Sequence, residues 1–381
     1  VCMANDKSNN ENNMNIPKVN NEDSIPSEIM ASGARVSFPD FNFYNIRTFC
    51  GKYVDIAKGS TADRAGAVQY AGNNSDNQKF LIFTLDDNYS VIAAKHSGKV
   101  LDIARIPPFN NDLLIQYYFQ NSDNQKFFIS NDGVISIKIS GQVWDIPNGS
   151  TSNDIPITSF RYQGSPNQKF SLVKNGSVSI NPPARGTLPP APDFKTNDIN
   201  EQLPNETTPV NTHFTYLPYF MVKDPYYNPQ QQMKNSPYYI LVRRQYWEKK
   251  TQRILAPSEF HEYSETIGVS RTNQTSMTNT TEISIGADLG FSFKGFSAGL
   301  STSITKTLSV TESTSQTDST ETTRKVGYTN PFTYLIAYAK YMLINEYYVT
   351  RADGQTITAG TTTYWKVPDQ DHTVSRTIPR S

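Results

Sequence analysis

The chain has 381 residues, enough for two ordinary domains. Its 35 basic and 35 acidic side chains balance to a formal net charge of +0, which argues against nucleic acid or an anionic surface as a partner reached through bulk charge. Tyr and Phe are frequent, with 22 and 20 copies, and the chain is also rich in Gly and Pro. Because aromatic residues favour strands and Gly and Pro favour turns, the composition predicts an all-β protein.

Residues 1–39 are rich in Asn and polar, with no apolar period of two or of 3.6 residues. Such a stretch buries too little apolar surface to offset the entropy lost on ordering, so we expect a disordered leader that proteases remove. A Pro-rich stretch at 179–199 predicts a stiff extended linker. The sequence therefore predicts two folded domains, at 40–178 and at 200–381.

The strongest pattern in the sequence is a three-fold repeat within residues 40–178. The motif Asn-Gln-Lys-Phe begins at Asn77, Asn124 and Asn167. In each copy an Asp stands 23 residues before the Gln, and an aromatic residue follows that Asp by 15 residues. These matched intervals predict three equivalent lobes, in which the Asp and aromatic positions are Asp55 and Tyr70, Asp102 and Tyr117, and Asp145 and Phe160.

The repeats resemble the ricin-B-type β-trefoil lectins, whose Gln-x-Trp signature stands here as Gln-Lys-Phe. The resemblance implies a carbohydrate-binding domain at 40–178 with galactose-type sugars as ligands. A carboxylate accepts hydrogen bonds from neighbouring sugar hydroxyls, an aromatic ring covers the apolar face of the sugar, and an Asn amide both donates and accepts. By resemblance the binding residues are Asp55, Tyr70 and Asn77 in the first lobe, Asp102, Tyr117 and Asn124 in the second, and Asp145, Phe160 and Asn167 in the third.

Structural roles for the same residues remain open at this point. Each Asp can equally cap a turn, and the Gln and Phe residues of the repeated motif are expected to be scaffold. Ser159 replaces the Gln that precedes the aromatic residue in the other two lobes, which predicts weaker binding by the third lobe. Tyr118 is an alternative stacking ring to Tyr117, and Trp144 should point into the core because side chains alternate along a strand.

Apolar and small polar residues alternate from Ile283 to Phe293, and the alternation resumes after Lys294-Gly295 as far as Val310. A two-residue turn at Lys294-Gly295 places the apolar side chains on one face of a hairpin. Each arm has about 11 residues, near the length of a strand that crosses a bilayer. A hairpin with one face on a protein core is the alternative. We predict a membrane-inserting hairpin with the apolar positions Ile283, Ile285, Leu289, Phe291, Phe293, Phe296, Leu300 and Ile304.

The second domain resembles the binary-toxin-like insecticidal crystal proteins of spore-forming bacilli, a branch of the aerolysin-like β-pore-forming toxins. The segments 246–249, 267–270 and 283–290 carry the resemblance. It implies an elongated β-sheet pore-forming domain at 200–381, a parasporal crystal or secreted location, and action at gut-cell membranes as a homo-oligomer. Some members of that family need a second toxin component, and others act alone.

A glycoside hydrolase joined to a lectin domain is the rival class, and it needs two carboxylates across a cleft. The acidic residues of the second domain stand in no recognisable motif, and its His residues lack the spacing of a metal site or a catalytic triad. Cys2 and Cys50 are too few for a zinc site. We expect no enzyme activity, metal or cofactor, and a non-lytic carbohydrate-binding lectin or adhesin is the alternative function.

Overall fold

The computed structural model describes residues 25–104 and 111–380, and at 296–298 it describes the backbone alone. Residues 42–177 form a β-trefoil whose last strand pairs with its first. Its strands are β1 (Asn42–Arg47), β2 (Tyr53–Ile56), β3 (Ala67–Tyr70), β4 (Phe80–Thr84), β5 (Ser90–Ala94), β6 (Val100–Ala104), β7 (Leu113–Tyr117), β8 (Phe127–Ile129), β9 (Ile135–Ile137), β10 (Val143–Asp145), β11 (Ile155–Pro156), β12 (Thr158–Phe160) and β13 (Ser171–Ser177).

Each lobe of the trefoil contains one hairpin and one short 3-10 helix that position the predicted sugar-binding residues. The hairpins are β2–β3, β6–β7 and β10–β12, and the 3-10 helices are Asp76–Gln78, Asp123–Gln125 and Pro166–Gln168. Trp144 is fully buried, with its ring 5.2 Å from that of Phe127 and 5.6 Å from that of Phe170. Trp144 therefore points into the core, as the alternation of β10 predicts.

Residues 25–39 differ from the predicted disordered leader. Ser27–Ala31 forms the short helix α1, and Ile25 packs with Phe128 and Val143 of the trefoil. The backbone N–H of Arg35 donates to the carbonyl of Ile129 at 2.9 Å. A few apolar side chains within this polar stretch pack on the surface of the trefoil. The prediction of a disordered leader is therefore wrong for residues 25–39. Residues 1–24 lie outside the described part of the chain.

The Pro-rich stretch at 179–199 is extended and lies against the second domain. Ala191 and Phe194 are buried there beside Ala337 and Tyr341. The indole of Trp247 donates to the carbonyl of Pro189 at 2.9 Å. The stretch is therefore bound along the sheet that follows it instead of hanging free between two domains.

The second domain is built on an antiparallel sheet of four strands in the order β14-β15-β20-β21. A separate hairpin of β16 and β19 runs beside it, and two helices and a small hairpin of β17 and β18 lie between those strands in the sequence. The elements are β14 (Val210–Pro218), α2 (Pro229–Asn235), β15 (Tyr238–Leu255), β16 (Phe260–Ile267), α3 (Arg271–Thr281), β17 (Ile283–Ile285), β18 (Phe291–Phe293), α4 (Ser301–Leu308), β19 (Thr322–Thr329), β20 (Ile336–Arg351) and β21 (Trp365–Ile378).

The two domains share one hydrophobic core. Phe83 and Leu85 of the trefoil are buried with Tyr219 and Tyr238 of the second domain, and the rings of Phe83 and Tyr238 lie 5.1 Å apart. Strand β4 is buried along its whole length, because one of its faces lies on the trefoil core and the other on the second domain. Its apolar sequence, Phe-Leu-Ile-Phe-Thr, is the sequence signal of burial on both faces.

Candidate carbohydrate sites and a stored apolar segment

The predicted Asp and aromatic residues of each lobe lie on one face of the same hairpin. Asp55 pairs with Val68, and Tyr70 is two residues further along that strand. The Cβ atoms of two residues in this diagonal relation are close enough for a long side chain on one strand to contact the residue on the other. The other two lobes repeat the relation, with Asp102 and Tyr117 on β6–β7 and Asp145 and Phe160 on β10–β12.

The Asn and Gln of the repeated motif bind the carboxylate of each Asp. In the first lobe the amide of Asn77 donates to Asp55 Oδ1 at 2.9 Å, and that of Gln78 donates to Oδ2 at 2.8 Å. In the second lobe the corresponding distances to Asp102 are 2.7 and 2.8 Å. In the third lobe both amides donate to Oδ1 of Asp145 at 3.0 Å, so neither of them donates to Oδ2.

The Gln of each motif also holds the backbone of its lobe. The amide of Gln78 donates to the carbonyl of Ala71 at 2.9 Å and accepts from the N–H of Asn73 at 3.1 Å. Gln125 and Gln168 make the same two kinds of contact. The three Gln residues therefore act as scaffold, and each Asp, which is buried, takes part in that scaffold.

Burial raises the pKa of all three carboxyl groups, against the opposing effect of the Gln and Asn amides. The pKa of Asp102 rises from 3.8 to about 6, and the pKa values of Asp55 and Asp145 move in the same direction. A carboxylate kept partly desolvated in this way forms a stronger hydrogen bond to a hydroxyl group when it is ionised. The three Asp residues therefore stay candidates for accepting from a sugar hydroxyl.

The aromatic rings differ in what already surrounds them. The guanidinium of Arg64 lies 5.9 Å from the centre of the Tyr117 ring, and that of Arg161 lies 6.0 Å from the centre of the Phe160 ring. The ring of Tyr118, the alternative stacking residue, is 4.4 Å from that of Tyr117, and 47% of Tyr118 is exposed. The second lobe thus has two adjacent tyrosine rings at the position of the candidate stacking residue.

Gln69 and Gln116 precede the aromatic residue in the first two lobes and are fully buried. The amide of Gln116 donates to the carbonyls of Ser60 and Ala62 at 2.8 and 2.9 Å, and Gln69 holds the loop at 150–152 in the same way. These Gln residues therefore position loops instead of facing a sugar. The predicted weakness of the third lobe, which rests on Ser159, has no direct support in this geometry.

The apolar residues of the predicted hairpin form a stored segment, residues 283–308, packed under the sheet of the second domain. Ile283, Ile285, Phe291 and Leu300 are buried at 0–1% exposure. The ring of Phe291 lies 5.0 Å from that of Tyr347 on β20. Ile304 is buried as well, Leu289 and Phe293 are partly buried, and Phe296 lies outside the residues whose side chains are described.

The predicted hairpin itself does not exist in this structure. Ile283 pairs with Phe293 and Ile285 with Phe291, so the turn lies at 286–290 and not at Lys294-Gly295. Residues 295–300 form a 3-10 helix and are followed directly by α4. The alternation thus misplaces the turn of this form, because burial against the sheet overrides the strand preference of the segment. The membrane-inserting hairpin concerns another state and stays a prediction.

The acidic residues that the sequence leaves without a motif include several held in ion pairs. Glu265 lies 3.0 Å from Lys340 and 2.9 Å from Arg324, and Asp224 lies 2.8 Å from Arg351. Within residues 25–104 and 111–380, no three His, Cys, Asp or Glu side chains are grouped to hold a metal ion. Over the same residues, no helix has the length and hydrophobicity needed to cross a membrane.

Comparison with known proteins matches both domains to families. Residues 36–118 match the ricin-type β-trefoil lectin domain-like family, and residues 212–370 match the family described as insecticidal crystal toxin, P42. The chain is 27% identical over 175 residues to the binary larvicide subunit BinA of Lysinibacillus sphaericus, covering 44% of this chain and 47% of the relative. It is 33% identical over 129 residues to the insecticidal crystal protein Cry35Ab1 of Bacillus thuringiensis, covering 32% and 34%.

These alignments span less than half the length of each curated relative. The crystal structure of Cry35Ab1 matches over 88% of this chain and 89% of the other, with a TM-score of 0.71 and 22% identity, which shows a common fold. The predicted resemblance is thus confirmed: residues 36–118 are similar to the ricin-type β-trefoil lectin domain-like family, and residues 212–370 are similar to the insecticidal crystal toxin, P42 family.

Proposed function

We propose that the protein is an insecticidal β-pore-forming toxin. Its trefoil binds galactose-type glycans on gut cells, several copies assemble, and each copy inserts a hairpin of residues 283–310 into the target membrane. The observation that carries the membrane step is the register of the β16–β19 ladder, which flanks the stored segment.

Strands β16 and β19 are paired up to Ile267 and Thr322. If that ladder continues without any shift, Ile285 pairs with Ile304 and Phe293 with Phe296, and Lys294-Gly295 remains as a two-residue turn. The apolar alternation of the sequence requires the same turn at the same place. Two independent features, the ladder in the structure and the pattern in the sequence, therefore support one continuous hairpin.

The stored segment and the helix before it have a sequence that is poorly matched to their folded form. Five of the eleven residues of α3 are Thr, and four of the eight residues of α4 are Thr or Ile. Because β-branched residues favour strands over helices, these helices depend on tertiary packing. Glu282, Leu289 and Ser309 have φ values of +57°, +62° and +55°, which is costly for residues other than Gly. An extended hairpin relieves both conflicts.

Insertion exchanges burial against protein for burial against lipid. The side chains of Ile283, Ile285, Phe291, Leu300 and Ile304 are covered by the sheet in the stored form, and in the hairpin they share one face. The opposite face carries Asp288 and otherwise Ser, Thr and Gly residues, which suit a water-filled lumen. Pairing the hairpins of several copies in a closed ring satisfies their edge hydrogen bonds, so the mechanism requires a homo-oligomer.

The target and the partners are inferred from the lectin-like domain and the relatives. A carbohydrate ligand suits the Asp, Asn and aromatic geometry of the lobes. BinA is named a subunit of a binary larvicide and Cry35Ab1 an insecticidal crystal protein, which supports an insect target, a crystal or secreted form and a second toxin component.

The membrane step can be tested by placing one charge on either face of the hairpin. Ala287 and Thr307 are both exposed in the stored form, so an Arg at either position leaves the soluble fold intact. In the hairpin, position 287 faces lipid near the midplane, where Arg costs roughly 2–4 kcal/mol per subunit, and position 307 faces the lumen. We expect Ala287→Arg to abolish dye release from glycolipid-bearing liposomes and Thr307→Arg to retain it.

Equal leakage by the two variants would show that this segment does not cross the membrane in the proposed register. Glycan binding without leakage by the parent protein would instead support the alternative, a non-lytic lectin or adhesin.

The sugar sites are best tested through their aromatic rings. Changing Asp55 or Asp102 to Ala also removes the acceptor of buried Gln and Asn amides, so it damages the fold. Tyr70→Ala together with Tyr117→Ala removes the stacking faces and leaves those hydrogen bonds in place. We expect the double variant to lose most binding on a glycan array at an unchanged melting temperature, with Tyr226→Ala, an exposed tyrosine of the second domain, as the control. Unchanged binding would contradict the site assignment.

A further inference from the structure

The N-terminus of α4 is capped by a residue of the lectin domain. Leu300, which precedes α4, has no side chain able to form a hydrogen bond, and the helix has no cap from its own segment. Asp86, on the trefoil turn between β4 and β5, takes that role. Its Oδ2 accepts from the N–H of Thr302 at 2.9 Å, and its Oδ1 accepts from the N–H of Ser303 at 3.4 Å.

Asp86 is suited to this position for two reasons. The first turn of a helix has N–H groups without intrahelical acceptors, and Asp is among the best residues at satisfying them. Its negative charge also complements the positive end of the helix dipole. The hydroxyl of Ser301 adds a contact to Oδ2 at 3.4 Å, so three groups at the start of α4 converge on one carboxylate.

The backbone and the side chain beside Asp86 reinforce the contact. The N–H of Asp86 donates to the carbonyl of Gly299, and a Cβ atom at position 299 would lie 3.0 Å from that of Leu85. Gly299 therefore permits a close backbone approach, and an added Cβ at this position would force the turn at Leu85 back by a few tenths of an ångström. Leu85 is buried in the shared core with Leu300 and Ile304 of the stored segment.

We propose that the β4–β5 turn of the lectin domain is a latch that holds the stored segment in place, with Asp86 as the residue that engages it. The segment cannot extend while the turn is docked, because α4 begins at the latch and must unwind for the hairpin to form. The glycan-binding domain thus restrains the element that enters the membrane, and release requires the trefoil to move away from α4. The docking is independent of the proposed function, whereas its effect on leakage rests on that function.

The docking can be measured in the soluble protein without any membrane. Removing an N-cap weakens a helix, so Asp86→Ala should speed hydrogen exchange of the amides at 299–308 about fivefold. Asp86→Asn should exchange as the parent does, because Asn caps nearly as well as Asp. Asp87→Ala is the matched control, since Asp87 pairs with Lys138 of the trefoil at 2.7 Å. Equal exchange in Asp86→Ala and the parent would overturn the latch.

The consequence for insertion can be tested with a reversible cross-link. Leu85→Cys with Gly299→Cys, with Cys2 and Cys50 changed to Ala, places two Cβ atoms 3.0 Å apart before any adjustment. The turn must therefore move back by about 0.5–1 Å to reach the roughly 3.8 Å of a disulfide. We expect the oxidised protein to release no dye from phosphatidylcholine liposomes bearing a galactose-terminated glycolipid, and the reduced protein to release it fully.

The outcomes separate the two proposals. Leakage by the oxidised protein equal to that of the reduced one would overturn the latch as a control on insertion while leaving pore formation intact. If neither the parent nor the reduced variant leaks, the pore-forming function fails, and the exchange experiment alone then decides whether Asp86 holds the segment.

Discussion

Asp102 is the carboxylate through which pH should control sugar binding at the proposed site of the second lobe. Burial raises its pKa from 3.8 to about 6, although the amides of Gln125 and Asn124 oppose the rise. An ionised carboxylate accepts from a sugar hydroxyl more strongly than a protonated one, so affinity should increase as the pH rises through about 6 and fall below it. Calorimetric titration with galactose from pH 5 to pH 8 measures this, in a Tyr70→Ala, Phe160→Ala background that leaves the second lobe intact.

The same residue should affect stability with the opposite sign. Because the folded pKa of Asp102 lies above its unfolded value, its contribution is complete below about pH 4 and is lost as the pH rises through about 6. Ionisation therefore favours sugar binding and disfavours folding. An affinity that does not change between pH 5 and pH 8 would show that Asp102 does not accept from the sugar.

At the scale of elements, the sequence predicts the repeated lobes well and the stored segment poorly. The intervals between Asp, aromatic and Asn residues identify the three lobes because each residue fills an equivalent place in a local hairpin and turn. The segment around Phe291 and Leu300 follows a strand pattern over its whole length, yet half of it is helical here. No local signal reveals that, because α4 depends on a cap from Asp86, which lies more than two hundred residues earlier in the chain.

The mismatch between pattern and structure is itself informative. Places where local preference and tertiary structure disagree are expected at functional sites, and this segment is such a place. The prediction of a disordered leader fails for a different reason. A few apolar residues, among them Ile25 and Val36, are buried against the trefoil and hold the polar stretch there.

The end of α4 offers a test of whether the stored form is strained. Ser309 has a φ of +55°, and Gly adopts this conformation without the steric cost that Ser has. Ser309→Gly should raise the free energy of unfolding by about 0.5–1 kcal/mol, after allowing for the greater entropy of Gly in the unfolded chain, and should slow dye release. Chemical denaturation and leakage kinetics measure the two effects.

Ser309→Ala is the control for that change, because Ala has the same steric cost as Ser at positive φ, and it should leave both values near those of the parent. Faster leakage from Ser309→Gly would contradict the view that strain in the stored segment favours its release.

At the scale of the whole molecule, the trefoil and the second domain share one hydrophobic cluster in addition to the cores of their own. Phe83 of β4 touches the rings of Phe220 and Tyr238, at 5.2 and 5.1 Å, so the trefoil alone would expose an apolar face. A trefoil held in this way can transmit its movement to the stored segment, because both contribute side chains to the same core. This coupling predicts that the parent protein unfolds in a single transition.

Weakening the shared core should separate the two domains. Phe83→Ala removes a fully buried ring, a change that typically costs about 3–5 kcal/mol, and most of the loss falls on contacts between the domains. We expect differential scanning calorimetry to resolve two transitions in this variant in place of one. Phe128→Ala removes an equally buried ring that packs within the trefoil and against residues 25–30, and it should lower the temperature of a single transition without splitting it.

A single transition in both variants would mean that the domains are coupled mainly by other contacts, among them the turn at Asp86. Two transitions already present in the parent would mean that the shared core does not couple them at all.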